Sequence, residues 1–467
     1  MSQPLDYAHP AYGSKYPRGF RARRGLNWFS LGLLYATYYM CRYNFRFATP
    51  GMIAEFKFTQ TQISDMLAIW SLAYGTGQLI NGLVSDRIGG RASMLIGAIG
   101  TILVNLIFGF ASFAGTFTTF SLIWLVNGYM QSFGAPGMVK INAAWFNRTE
   151  RGTFAGIFGL MIQFGQMATS WLAPFILAGF TIGALVVGQG EWRWLFRLPP
   201  LFTAGAALLV FFAAKPSPDE AGYPGVIHDE LDNSAGVTVS LAESFKTIFT
   251  HPLVWFYAVA YACTGAVRQS SDQIAVLYFQ DQLHFDMKKN IPAAASWTLT
   301  LMPMVAVLGS FLSGWVSDKF FKGFRSPVAM SLYFLEAGVI AIAAVILLRG
   351  NVGPTPWGIF VGCMILVLIA FTANSTHSIV GAAAPMDIGG KKMAGFAAGV
   401  IDSFQYYGGA ISLFITGRVL EHTKAHYGYT FWYVIMSAFG VIGGLTMIGV
   451  VLKQRHMRRQ GAKQAEI

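Results

Sequence analysis

The stretch LGLLYATYYMCRYNFRFATPGM, residues 31–52, places Arg42 inside an otherwise apolar and aromatic run. A second stretch, WFYAVAYACTGAVRQSSDQIAVLYF at 255–279, does the same with Arg268 about one half-chain later. Each is long enough to cross a bilayer as a helix, because roughly 20 residues span the hydrocarbon layer. An ionised side chain at that depth costs roughly 2.5 kcal/mol or more on insertion scales, so it reads as functional and needs a named partner. Two guanidinium groups point to a central site for an anion, and their natural partner is a phosphate or a carboxylate.

Composition agrees with a polytopic membrane chain. Of 467 residues, 54% are hydrophobic and only 12% charged, and the mean hydropathy is +0.49, which excludes an ordinary soluble globule. Long apolar runs alternate with short charged loops, giving about 12 predicted spans. The formal charge of +12 is placed unevenly. Basic residues concentrate in the N-terminal arm, in alternate loops (Arg87 and Arg91, Arg148 and Arg151, Lys319 and Lys322, Lys391 and Lys392) and in the tail. By the positive-inside rule both termini are expected in the cytoplasm, which requires an even number of spans. The charge is therefore a topology signal and gives no reason to expect nucleic acid. The arm before the first span is polar and carries no feature of a cleavable signal. Cys41, Cys263 and Cys363 all fall in spans and read as free thiols, without metal-ligand spacing. No nucleotide-binding loop, nucleophile elbow or metal cluster stands out, so neither an enzyme nor a cofactor is expected.

Residues 215–250 form the longest polar stretch and are rich in Pro, Gly, Asp and Ser. They are expected to link two six-span halves at 26–214 and 251–452, flanked by an arm at 1–25 and a tail at 453–467. Internal similarity supports that division. GLVSDRIGGR at 82–91 recurs as GWVSDKFFKG at 314–323, and ERGTFAGIFG at 150–159 echoes KKMAGFAAGV at 391–400. Parallel repeats related by an axis along the membrane normal put both arginines near the midplane. The predicted fold is thus an all-α membrane protein of 12 transmembrane helices in two pseudo-symmetric halves.

The loop signature Gly82-x-x-x-Asp86-Arg87-x-Gly89-x-Arg91 is the best-known mark of the major facilitator superfamily, which the whole chain resembles. Its expected job is a conformational latch pinning a helix end, echoed in the second half by Asp318 and Lys319. Within that superfamily the chain resembles the organophosphate:phosphate antiporters, the group of the glycerol-3-phosphate and hexose-6-phosphate transporters. The carrying segments are YATYYMCRYNF, SLAYGTGQLINGLVSDR, NGYMQSFGAPGMVKINAAWFNRTERG, RQSSDQIAVLY and KKMAGFAAGVIDSFQYYGG. The resemblance implies that Arg42 and Arg268 bind a phosphoryl group and that Tyr35, Tyr39, Tyr74 and Tyr406 line the site. Where relatives similar to the glycerol-3-phosphate transporter carry Lys in span 2 and His in span 5, this chain has Gln78 and Ile162. Gln163 and Gln166 lie beside the latter and supply hydrogen bonds but no charge. A less positive site suits either a larger, more polar anion such as a sugar phosphate or a substrate of lower charge.

Tyr35, Tyr39, Arg42 and Arg46 share one helix face by their spacing. Asp272, four residues after Arg268, reads either as its salt-bridge partner or as a proton-coupling carboxylate, and Asp402 is a second acidic candidate. Lys140 reads as a snorkelling interface residue or a cavity residue, and His377 and Asn374 as interhelical bonds or substrate contacts. The expected function is exchange of an organic phosphate for inorganic phosphate by alternating access, in a monomer of the bacterial inner membrane. Two rivals need the same pocket: a proton-coupled symporter of sugar acids or other carboxylates, and a transporter-like sugar-phosphate sensor.

Overall fold

Pro136 removes the N–H that a continuous fourth span would offer to the Ser132 carbonyl, and the helix breaks there. The computed structural model describes residues 16–110, 115–146, 148–227, 250, 252–321, 325–388 and 390–465. The N-terminal half contains α1 (Phe20–Phe56), α2 (Gln60–Ile88), α3 (Gly90–Phe110), α4 (Phe117–Gln131), α5 (Gly134–Trp145), α6 (Arg148–Ala178), α7 (Trp194–Arg197) and α8 (Pro199–Ala213). The C-terminal half contains α9 (Pro252–Asp281), α10 (Ala293–Phe321), α11 (Arg325–Leu348), α12 (Pro356–Ile388), α13 (Gly390–Tyr427) and α14 (Thr430–Ala465). Counting α4 with α5 and α7 with α8 as one span each gives two halves of six. The fourth of the predicted spans is therefore two helices.

Among the described residues, seven helical segments are long and apolar enough to cross a membrane by composition alone. The spans missing from that set are α1, α2, α4 with α5, α9 and α13, four of which carry the candidate charged and amide residues. Their lower hydropathy is the signature of facing a polar centre. The outer helices instead expose Ile99, Leu103, Phe212, Phe311 and Ile342, as the hydrocarbon requires.

A hairpin not anticipated from the sequence, β1 (Phe180–Ile182) with β2 (Leu185–Val187), follows α6 and pairs Phe180 with Val187 and Ile182 with Leu185. Gly183 at its tip has φ of 58°, the left-handed conformation a two-residue hairpin loop needs. The loop beyond it is tied to α1: Arg193 forks onto Glu55 at 2.7 and 2.8 Å, and Trp192 Nε1 donates to the same carboxylate at 2.9 Å. The Arg193 hydrogen bond holds the Glu55 carboxyl below its ordinary range.

Of the expected linker, residues 228–249 lie outside the described residues, as do residues 1–15 of the arm. The side chains of Arg148, Arg151, Lys391 and Lys392, and most of the second repeat pair, lie outside them too. The start of the linker packs on the N-terminal half, where Lys215 N donates to Asn27 Oδ1 at 2.6 Å and Tyr223 meets Phe20 edge to face.

The two halves meet through α2 against α13, α6 against α10 and α1 against α9. Within the C-terminal half, α9 and α13 approach until their backbones touch. A Cβ on Gly265 would lie 1.8 Å from the Gln405 carbonyl, and one on Gly408 would lie 1.9 Å from that of Ala262. Only glycine permits this crossing, and it fixes Gln405 beside the helix that carries Arg268.

Candidate functional site at the centre of the helix bundle

Arg42 is only 2% exposed, yet no carboxylate hydrogen-bonds to it among the described residues, and Asp402 lies within electrostatic reach. Its guanidinium carbon sits over the rings of Tyr39, Trp70 and Tyr74 at 4.4, 4.6 and 4.4 Å. These ring faces carry negative quadrupole charge and stabilise the cation in place of an anion. From behind, Nε donates to Gln131 Oε1 at 3.0 Å. Gln131 is itself anchored, its Nε2 donating to the carbonyls of Tyr38 and Cys41 at 3.3 and 3.2 Å. Nη2 of Arg42 is buried and has no hydrogen-bond partner among the described residues. A buried, oriented, half-satisfied guanidinium has the donors to receive an oxyanion.

Tyr35, Tyr39, Tyr74 and Tyr406 are brought together around it. Tyr35 and Tyr74 share a hydroxyl hydrogen bond of 3.2 Å, and Tyr74 and Tyr406 meet across the two halves with ring centroids 4.3 Å apart. Tyr39 stacks on Tyr43 at 5.8 Å. Tyr39 and Tyr43 lie within electrostatic reach of both Arg42 and Arg268. Gln78 meets Asp402 across the same interface, while its Oε1 and that of Gln163 are buried without partners.

Arg268 is 8% exposed. It donates from Nη1 to Gln405 Oε1 at 3.0 Å and toward His377 Nε2 at 3.4 Å. His377 turns Nε2 toward Arg268 and Nδ1 toward the Tyr261 hydroxyl, the latter at 2.9 Å. Asp272 has other described contacts. Its Oδ2 accepts from Tyr43 at 3.0 Å and lies 3.5 Å from Gln166 Nε2. Arg46 takes the Asp272 main-chain carbonyl at 3.0 Å and Ser170 Oγ at 3.2 Å. Arg46 thus ties α1 to α6 and α9, and is 2% exposed.

The signature loop makes a helix-end contact. Gly89 has φ of 87°, a turn that favours glycine. Lys140 from α5 donates to the carbonyls of Asp86 and Ser85 at 2.6 and 3.1 Å and lies 3.5 Å from the Asp86 carboxylate. A cation on orphan carbonyls at a helix C-terminus is stabilised by the helix dipole. Arg91 donates to the Phe211 carbonyl of α8. Arg87 is exposed and Gly82 has open space beside it. In the second half Asp318 and Lys319 are exposed, with Lys319 over the Trp315 ring at 4.6 Å.

Past the site, toward the face remote from the chain termini, further bonds join the halves. Arg418 forks onto Asp65 at 2.7 and 3.2 Å. Glu421 accepts from Thr61 N at 3.1 Å at the start of α2, and Trp171 donates to Thr300 Oγ1 at 3.1 Å.

Sequence reasoning missed Trp70, Gln131, Tyr43 and Tyr261 as neighbours of the arginines. Gln131 carried a signal, since it is an amide within an apolar span. The aromatic residues carried none, because Phe, Tyr and Trp fill the whole chain.

Residues 31–413 match the family model described as Major Facilitator Superfamily. The chain is 27% identical to the membrane sensor protein UhpC of Salmonella typhimurium, covering 84% of each chain. It is 27% identical to the glycerol-3-phosphate transporter of Bacillus subtilis, over 91% of this chain and 93% of that one. A probable hexose phosphate transport protein of Chlamydia pneumoniae is 26% identical over 84% of each. Among solved structures, a D-xylose-proton symporter superposes with a TM-score of 0.66 at 16% identity, covering 91% of this chain and 96% of that one. An inward-facing, unoccupied bacterial homologue of the lysosomal transporter Spinster gives 0.64 at 14%, covering 93% and 95%. Both of the latter likenesses concern the fold.

Proposed function

The chain belongs to the Major Facilitator Superfamily, and on that premise we propose that it carries a small organic phosphate across the bacterial inner membrane in exchange for inorganic phosphate. The observation that carries this reading is the buried, unpartnered Nη2 of Arg42 in its aromatic box. The relatives named for glycerol phosphate and hexose phosphate support the phosphoryl group as the ligand. Arg42 and Arg268 bind its oxygens from opposite halves. Tyr35, Tyr39, Tyr74 and Tyr406, with Gln78 and Gln163, take the organic portion by hydroxyl, amide and ring-face contacts.

The positive-inside rule puts both termini in the cytoplasm. The bonds of Arg418 and Glu421 then close the outer face, and the carrier rocks about the central site as a monomer. Without an anion, occlusion would leave two guanidinium groups desolvated with only Asp272 and Asp402 in electrostatic reach and no carboxylate hydrogen-bonded to either among the described residues, so phosphate favours the return step and exchange over uniport. Asp272 and Asp402 serve as partners or proton-coupling groups, and the Asp86 loop with Asp318 and Lys319 as conformational latches.

A second reading is favoured by the sensor protein among the relatives: the same pocket binds a sugar phosphate and signals without meaningful flux. Uptake of radiolabelled phosphate into phosphate-loaded proteoliposomes separates the readings, with glycerol-3-phosphate, hexose phosphates and sugar acids as competitors. Exchange competed by one organophosphate and abolished by Arg42→Ala is the expected result. Binding without exchange supports the sensor. Uptake that follows an imposed proton gradient with no internal phosphate supports a proton-coupled symporter, and either outcome sinks the exchanger.

A further inference from the structure

Glu336 lies in the middle of α11, a span with no part in the central site, and is fully buried at 0% exposure. Its Oε2 is 2.9 Å from Thr376 Oγ1 in α12, and its Oε1 has no hydrogen-bond partner. Thr376 Oγ1 also lies 3.0 Å from the Thr372 carbonyl. A carbonyl can only accept, and a threonine hydroxyl has one hydrogen. That single hydrogen is divided between the Glu336 carboxyl and the Thr372 carbonyl, so Thr376 offers Glu336 no more than one neutral hydrogen bond and nothing that offsets a charge.

The surroundings agree. From α9, Cys263 is the titratable neighbour. On α11 itself, Tyr333 is committed to Thr264 and the Ala260 carbonyl. From α14, Ser437 donates to the Ala337 carbonyl at 2.9 Å. On α12, His377 is engaged by Tyr261 and Arg268. The charged groups of α10, Asp318 and Lys319, lie near its end. No cation faces Glu336 among the described residues, and a carboxylate buried without one is strongly disfavoured.

The geometry points to Glu336 as a proton-binding site in the C-terminal half, occupied in this conformation and emptied only when α11 and α12 part. On release the O–H bond breaks, the proton passes to water admitted between the helices, and the carboxylate remains. Thr376 and His377 are consecutive on α12, so a shift of that helix that frees Glu336 also alters the contact of His377 with Arg268. Proton release at Glu336 is thereby linked to the anion site, whichever anion that site carries.

Infrared spectroscopy of the purified protein in lipid tests the site without reference to transport. The wild type is expected to show the carbonyl stretch of a protonated carboxylic acid at neutral pH, lost in Glu336→Gln. Absence of that band, or its survival unchanged in the variant, overturns the proposal. Thr376→Val keeps the acid but removes its partner, so the band should shift; an unmoved band overturns it equally. Phosphate exchange then reads the linkage. Wild-type activity should change with alkalinity where Glu336→Gln does not, and parallel pH profiles would refute the linkage.

Discussion

Replacing Arg42 by lysine keeps the charge and discards the fork. Lysine has no Nε to meet Gln131 and no second planar prong for a phosphate oxygen. The lost bond is charged and spans 3.0 Å, and a hydrogen bond of that kind is worth about 1.5–3 kcal/mol. At about 1.4 kcal/mol per decade, Arg42→Lys should weaken phosphate binding roughly 10- to 100-fold. Gln131→Leu attacks the same bond from the other side, leaving Nε of Arg42 unpaired, and should cost about 1–3 kcal/mol. Because both changes delete one contact, the double variant should bind about as weakly as Arg42→Lys alone, a coupling of about 1–3 kcal/mol, the whole cost of Gln131→Leu. Calorimetric titration with inorganic phosphate, repeated as half-saturation of exchange, measures all four proteins. Arg42→Lys within about twofold of wild type would refute directional recognition by Arg42. Strict additivity would refute the role given to Gln131.

At the remote face, Arg418→Asp and Asp65→Arg should each shift the carrier toward the opposite opening, and the double swap should restore it. With Arg418 exposed, a change of only about two- to fivefold in population is expected, read as labelling of a cysteine introduced beside Asp65. The hydrogen bonds of Glu421 with Thr61 and Thr59 hold its carboxyl below the usual range. A depressed carboxyl contributes stability that is present above its ordinary value and lost as pH falls through the folded one. The closed face should therefore loosen below about pH 4, and the same labelling assay should lose that acid step in Glu421→Gln. Gly265→Ala forces a methyl group into the Gln405 carbonyl, so it should destabilise by about 1–3 kcal/mol. Thermal unfolding and phosphate exchange should fall together, because Gln405 positions Arg268.

The helical class, the two halves and the two arginines follow from the sequence alone, because a hydrocarbon solvent imposes simple rules. Spans must be about 20 residues long and apolar, and a charge within one must have a use. Four of the five spans that composition leaves out carry the candidate charged and amide residues. Which groups surround each arginine was decided only by tertiary structure. Asp272 stands one helical turn from Arg268 in sequence, yet Arg268 meets Gln405 and His377 from other helices while Asp272 meets Tyr43 from the other half. Local spacing defines a helix face, but helix rotation and crossing choose the neighbour. Glu336 makes the same point from the other direction: a lone acid in an apolar run gains its meaning from Thr376 on the adjacent helix. The break at Pro136 was written in one residue, whereas the contact of Gly265 with the Gln405 carbonyl needs two helices 140 positions apart in sequence to be placed first. Chain-local chemistry sets what each span can be, and the packing of spans sets what each polar group can touch.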